Sequence, residues 1–143
     1  MNQLPSNPSL EVPIKVYFYD TDAGGVVHNI AYLRFVETAR SQLAEYMGWA
    51  LIDMLGESCP VVARTEIDYI KPAKLGDKLM IKGKLVCMEK VRFYLAFEIV
   101  RVVDSALIAK ALQTMVTVDL KTGRPRPLRK DWLLQWSNLV KEK

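Results

Sequence analysis

Asp20 and Asp22 stand one residue apart in the run Asp20-Thr-Asp-Ala-Gly-Gly-Val-Val-His-Asn29. A carboxylate in a loop can activate water as a general base or attack a carbonyl as a nucleophile. Gly24 and Gly25 carry no side chain, so a ligand can come close to bare backbone N–H groups there. A helix beginning near Val27–Asn29 would add N–H groups with no internal partner and a dipole favouring negative charge. A carbonyl oxygen placed at those groups would be stabilised as it becomes an oxyanion. Carboxylate and oxyanion site are the two parts that acyl transfer requires. A purely structural role is the other reading. Aspartates between a strand and a helix also cap the helix or form Asx turns, and a Gly-Gly pair also serves simply to turn the chain. Neither a GxxxxGK[ST] nor a GxGxxG pattern is present, so the segment is not a nucleotide-phosphate loop.

Composition narrows the chemistry further. The 143 residues suit one domain, 50% hydrophobic and 25% charged. His28 is the single histidine, and Cys59 and Cys87 lie far apart with no CxxC, so no metal site and no bound cofactor are expected. Twenty Lys and Arg against 16 Asp and Glu leave a mild +4 charge. That permits an anionic ligand but lacks the basic clusters and aromatic stripe of a nucleic-acid binder. No run of 18 apolar residues suggests a membrane span. The first 11 residues read as a loose arm with no basic start or apolar run, and residues 12–143 as one domain. With two free cysteines and no export signal, a cytoplasmic location is expected.

The elements that must position Asp22 follow from periodicity. Val12 to Tyr19 is β-branched and aromatic, a strand leading into the Asp-Gly loop. Asn29 to Met47 reads as a helix with Ile30, Leu33, Val36, Leu43 and Met47 near one face, joined by Phe35, Ala39 and Tyr46, and Gly48 as its stop. Trp49 to Leu55 suggests a further helical turn closed by Gly56. Val61–Ile70, Asp77–Glu89, Arg92–Val103 and Ala106–Leu120 read as four long strands. Trp132 to Lys143 reads as a last amphipathic helix, with Trp132 and Trp136 on its apolar side. A long helix set against an antiparallel sheet of five strands is an α+β arrangement.

Two segments carry a specific resemblance. Asp20 to Val27, followed by Asn29-Ile-Ala-Tyr32-Leu-Arg34-Phe-Val-Glu37-Thr-Ala-Arg40, is similar to the signature of the 4-hydroxybenzoyl-CoA thioesterase family. The similarity is greatest to its bacterial subgroup associated with the Tol–Pal gene cluster. Tyr69-Ile-Lys-Pro72-Ala-Lys-Leu-Gly76-Asp77 is similar to the turn that the same family carries. The resemblance implies a hotdog fold, with the sheet wrapped around the central helix, and hydrolysis of an acyl-CoA thioester. It implies a homo-oligomer, dimer or tetramer, with active sites at the dimer interface. Asp22 aligns with the catalytic carboxylate, Asp20 with a residue that shapes the loop, and the backbone near Asn29 with the position that polarises the thioester carbonyl. Apart from the resemblance, Gly25 by its bare backbone, Val27 at the helix start and Tyr32 on the helix are the candidate substrate-binding residues. The subgroup usually has Tyr-His after Val-Val where this chain has His28-Asn29. The histidine is thus displaced by one position; His28 stands with Asp22 and Asn29 as a catalytic candidate, a structural role being its other reading, and Asn29 would donate to the substrate or cap the helix.

Coenzyme A brings several phosphates. Lys90 and Arg92, at a turn between two strands, are the candidate partners, with Arg64, Lys71 and Lys74 as weaker ones. The acyl pocket is expected to draw on Tyr32, Phe35, Met54, Val61 and Val62. Two other functional classes remain open at this level. A non-catalytic acyl-CoA or lipid-binding protein would keep the fold and the basic residues without needing Asp22. Another hotdog enzyme, such as a hydratase, would use a histidine with an acidic residue on the central helix, whereas His28 precedes the helix.

Overall fold

The structure, a computed structural model, describes residues 7–48 and 58–141. The helical turn expected over Trp49 to Leu55, Met54 of the expected acyl pocket, and the first six residues of the arm lie outside the described residues.

Five strands form one antiparallel sheet: β1 (Ser9–Lys15), β2 (Ser58–Tyr69), β3 (Lys78–Met88), β4 (Arg92–Arg101) and β5 (Leu107–Asp119), in the order β1-β3-β4-β5-β2. The inner face of the sheet alternates with the outer one, as a half-buried strand must. Leu79, Ile81 and Leu85 of β3 and Phe93, Leu95, Phe97 and Ile99 of β4 point into the core. On the outer face a single row runs across all five strands. Glu11 pairs with Lys82, Lys82 with Glu98, Glu98 with Lys110, and Lys110 with Asp68. Signs alternate at every step, and like charges directly opposite would be destabilising, so this row favours the observed register.

The long helix α1 (Asn29–Tyr46) lies across β3 and β1. Its 18 residues span about 27 Å. The buried stripe is Ala31, Tyr32, Phe35, Val36, Ala39 and Leu43, with Met47 just past the helix end. This corrects the expected face: Ile30 is 67% exposed and Leu33 41%. The stripe at 32, 35, 36, 39 and 43 carries both aromatic rings inward, and Ile30 and Leu33 then fall outside it. Gly83 sits beneath this helix. A Cβ there would stand 3.0 Å from the Phe97 ring of the next strand, so that ring would have to give, and 3.8 Å from Leu43, an ordinary contact.

The bounds of β1 and of the last helix also differ from expectation. β1 starts at Ser9, so Ser9, Leu10 and Glu11 of the presumed arm pair with β3. It ends at Lys15 rather than Tyr19, because Asp20 accepts the Tyr17 N–H at 2.9 Å and draws Phe18–Asp20 into a short 3-10 turn. The last helix, α2 (Lys130–Gln135), is shorter than the expected Trp132–Lys143. A 3-10 turn follows at Ser137–Leu139, and the Lys141 N–H then donates to the Met88 carbonyl at 2.8 Å, drawing the chain along the end of β3. No described helix is long and apolar enough to cross a membrane.

Both C-terminal tryptophans are buried, with different polar fates. Trp132 packs edge-on against Phe93 and donates its Nε1–H to the Met47 carbonyl at 2.7 Å, fastening α2 to the end of α1. Trp136 Nε1 meets no acceptor among the described residues. Trp132→Phe should therefore lower unfolding free energy by about 2–4 kcal/mol, since it adds an unsatisfied carbonyl to the lost volume. Trp136→Phe loses volume alone and should be milder, about 1–2 kcal/mol. Urea denaturation of the two variants checks the order; the reverse order would contradict this account.

Candidate active site

The loop from Tyr17 to His28 closes on one buried carboxylate. Asp20 is 1% exposed. Its Oδ2 accepts the Tyr17 N–H at 2.9 Å, and its Oδ1 accepts from Arg34 Nη2 of α1. Its backbone carbonyl accepts the His28 N–H at 3.0 Å. One residue thus ties the entry of the loop, its exit and the helix that follows. Between those ties, the Asp22 N–H donates to the Val26 carbonyl at 2.9 Å and the Gly25 N–H to the Asp22 carbonyl at 3.0 Å. Gly25 has φ of +77°, a left-handed conformation in which a side chain would be strained.

Asp22 itself is exposed. Its Oδ1 accepts the Gly24 N–H at 2.8 Å, the Asx turn that the spacing allowed. One carboxylate oxygen is therefore oriented by the loop, and Oδ2 accepts no hydrogen bond from the described residues.

The helix start differs in detail from the sequence expectation. The cap is His28, not Asn29: His28 Nδ1 accepts the Ala31 N–H at 3.1 Å. An accepting Nδ1 leaves the ring hydrogen on Nε2. The expectation that amides from Val27 onward are open narrows as well. The Val27 N–H is committed to the Ala73 carbonyl at 2.8 Å, and that of His28 to Asp20. The amides of Asn29 and Ile30, the first two of α1, have no carbonyl within the helix to bind.

The second motif packs directly on the first. Val26 and Lys74 form an antiparallel bridge, and the Leu75 N–H donates to the Gly25 carbonyl at 3.3 Å. The Tyr32 hydroxyl accepts the Ala73 N–H at 3.1 Å, while the Tyr69 hydroxyl donates to the Asn29 carbonyl at 3.3 Å. Burial pushes the Tyr32 hydroxyl above its usual pKa, with the Ala73 N–H opposing, so it stays protonated at neutral pH. A cavity of about 310 Å³ opens here, lined by Val27, Asn29, Tyr32, Tyr69, Lys71 and Pro72. It joins the helix start to the 69–72 turn.

Not every expected site residue gathers at this point. Lys90 and Arg92 are exposed at the β3–β4 turn, at the far end of β3 from Asp77 and the Asp22 loop. That strand has 11 residues, which at roughly 3.3 Å each separates its ends by about 30 Å. Arg64 pairs with Glu66 at 2.6 Å on the outer face of the sheet. Lys74 serves the turn, its N–H donating to Asp77 Oδ2 at 2.9 Å. Phe35 is plain core. Val61 and Val62 line a different cavity, of about 380 Å³, beside the second half of α1 and over Met115 and Trp132. Sequence reading overlooked Arg34 and Tyr69. Arg34 fell on the polar side of the helix, and nothing local links it to Asp20; Tyr69 was visible as part of the second motif, but not its reach to Asn29. Among the described residues, no three His, Cys, Asp or Glu side chains come together as a metal site.

Comparison with known proteins fits this geometry. The sequence pattern of the thioesterase-like superfamily matches residues 16–137. The chain is 32% identical over 119 residues to the acyl-CoA thioester hydrolase YbgC of Escherichia coli O6:H1, covering 82% of this chain and 88% of that one. It is 27% identical over 120 residues to a 1,4-dihydroxy-2-naphthoyl-CoA hydrolase of Synechocystis, covering 82% and 87%. Its fold superposes on the crystal structure of a 1,4-dihydroxy-2-naphthoyl-CoA thioesterase from Synechocystis with a TM-score of 0.82 at 24% identity, covering 92% and 97%. The match runs from the end of β1 to the 3-10 turn after α2 and takes in both motifs; the chain belongs to the thioesterase-like superfamily, with its hotdog fold.

Proposed function

We propose that this protein hydrolyses the thioester of an acyl-CoA to the free acid and coenzyme A. The observation that carries the proposal is the position of Asp22. Its carboxylate stands on a braced loop whose next element presents the open amides of Asn29 and Ile30. The names of the relatives, acyl-CoA and dihydroxynaphthoyl-CoA hydrolases, support the same chemistry.

In the reaction, the thioester carbonyl lies against the first amides of α1. Asp22 takes a proton from water as the water oxygen bonds to the carbonyl carbon. The resulting oxyanion is held by the amides and the helix dipole. The C–S bond then breaks and the thiolate leaves, needing no strong general acid. In the nucleophilic variant, Asp22 attacks the carbonyl carbon itself and water hydrolyses the mixed anhydride. A single turnover in heavy-oxygen water probes the second route: label in the Asp22 carboxylate shows an anhydride opened at the aspartyl carbon, whereas label in the product acid alone fits either route. His28 contributes by capping the helix and holding its start in place.

Asp22→Asn should lower kcat by about 10²–10⁴ with a modest change in KM, because the amide neither accepts the proton nor attacks. Turnover near the wild-type rate would remove Asp22 from the mechanism.

We further propose that two chains share each site. Tyr17, Phe18 and Tyr19 expose their rings beside the Asp22 loop, Phe18 by 80%, and Ile30 and Leu33 continue that apolar surface along α1. Strand β2 also leaves one edge of the sheet unpaired among the described residues. A second copy would cover such surfaces. Lys90 and Arg92, remote from Asp22 in their own chain, then serve the coenzyme A phosphates of a neighbouring site. Sedimentation equilibrium should give at least twice the 16.3 kDa chain mass, and a fully active monomer would contradict the shared site. Replacing both Lys90 and Arg92 by alanine should raise KM and flatten its dependence on salt, with kcat little changed. An unchanged KM would reject the phosphate role.

A further inference from the structure

Arg34 is a half-exposed residue on the polar side of α1, its side chain 52% accessible, yet its guanidinium turns back to the buried Asp20 carboxylate. It lies over two rings on the way, with Cζ 5.5 Å from the Tyr19 centroid and 5.9 Å from that of Phe35. Asp20 in turn binds the Tyr17 and His28 amides at the two ends of the loop that carries Asp22. Among the described residues, Arg34 is the cation that pairs with Asp20. Without it, a carboxylate almost closed to water would face only one backbone donor, and the loop would have to move to rehydrate it.

We infer that Arg34 is a positioning residue for thioester hydrolysis. It acts through Asp20 to fix the distance between the Asp22 carboxylate and the Asn29 and Ile30 amides. The inference rests on the hydrolase reading above. Arg34 need not touch substrate. A shift of the loop by about 1 Å would separate base from oxyanion site and lower the rate without weakening substrate binding in proportion.

The test measures kcat and KM for Arg34→Gln, Arg34→Lys, Asp20→Asn and the Asp20→Asn/Arg34→Gln double variant, beside Asp22→Asn, with thermal unfolding to verify folding. Arg34→Gln should lose about 10- to 100-fold in kcat with KM within about threefold. Arg34→Lys should fall between that variant and wild type, because it keeps the charge but not the planar stacking on Tyr19. The double variant should lose much less than the product of the single losses, since the pair acts as one unit. A folded Arg34→Gln with wild-type kcat, a loss confined to KM, or additive losses in the double variant would overturn the inference. If Arg34→Gln alone does not fold, the double variant, which buries no unpaired charge, decides: a wild-type kcat overturns the inference, and a tenfold or larger loss at unchanged KM supports it. Wild-type turnover by Asp22→Asn would instead bring down the hydrolase reading itself.

Discussion

An ionised carboxylate withdrawn from water must find donors nearby, at a penalty of several kcal/mol if it does not. Asp20 sets that condition for this fold. Its oxygens take the Tyr17 amide and the Arg34 guanidinium, and its carbonyl takes the His28 amide. Much of the local architecture follows. β1 must stop early so that Tyr17 can turn toward Asp20. The chain must loop back within eight residues to bring His28 to the same place. The helix must then start with His28 as its cap, which leaves the next two amides open.

The site is also rigid for a reason outside the loop. The 69–77 segment lies against it like an extra strand, through the Val26–Lys74 bridge and the Val27 and Leu75 amides. Tyr32 from the helix and Tyr69 from the edge strand reach across and bond in opposite directions, one accepting from Ala73 and one donating to Asn29. A reactive group on a loop is useful only if that loop is held as firmly as a strand. Two motifs whose bracing contacts span 40 or more positions of sequence meet that need together.

Much of this was legible in the amino-acid order. The Asp-Gly run, the long helix and the four long strands are local patterns, and the second motif pointed to the turn that braces the first. What escaped was set by tertiary choices. The phase of α1 could not be read from its apolar residues, because Ile30 and Leu33 compete with Tyr32 and Phe35, and only the sheet decides which pair goes inside. The end of β1 looked like strand up to Tyr19, since a buried side chain three residues ahead, not β propensity, ends it. The Arg34–Asp20 pair is a contact between a helix face and a loop with no signal in spacing. Lys90 and Arg92 read as site residues from their charge and their turn, and the length of β3 adds only that they stand at the end of the sheet away from the Asp22 loop of the same chain.

The proposed hydrolysis requires that this braced loop do chemistry and not merely hold a ligand. The most direct measurement is release of free thiol from a panel of short-chain, long-chain and aromatic acyl-CoA thioesters by the wild-type chain, followed alongside binding of the same compounds. The account predicts many molecules of coenzyme A released per chain for at least one member of the panel. Tight binding of acyl-CoA with no thiol release from any member would contradict it and leave a binding protein in place of a hydrolase.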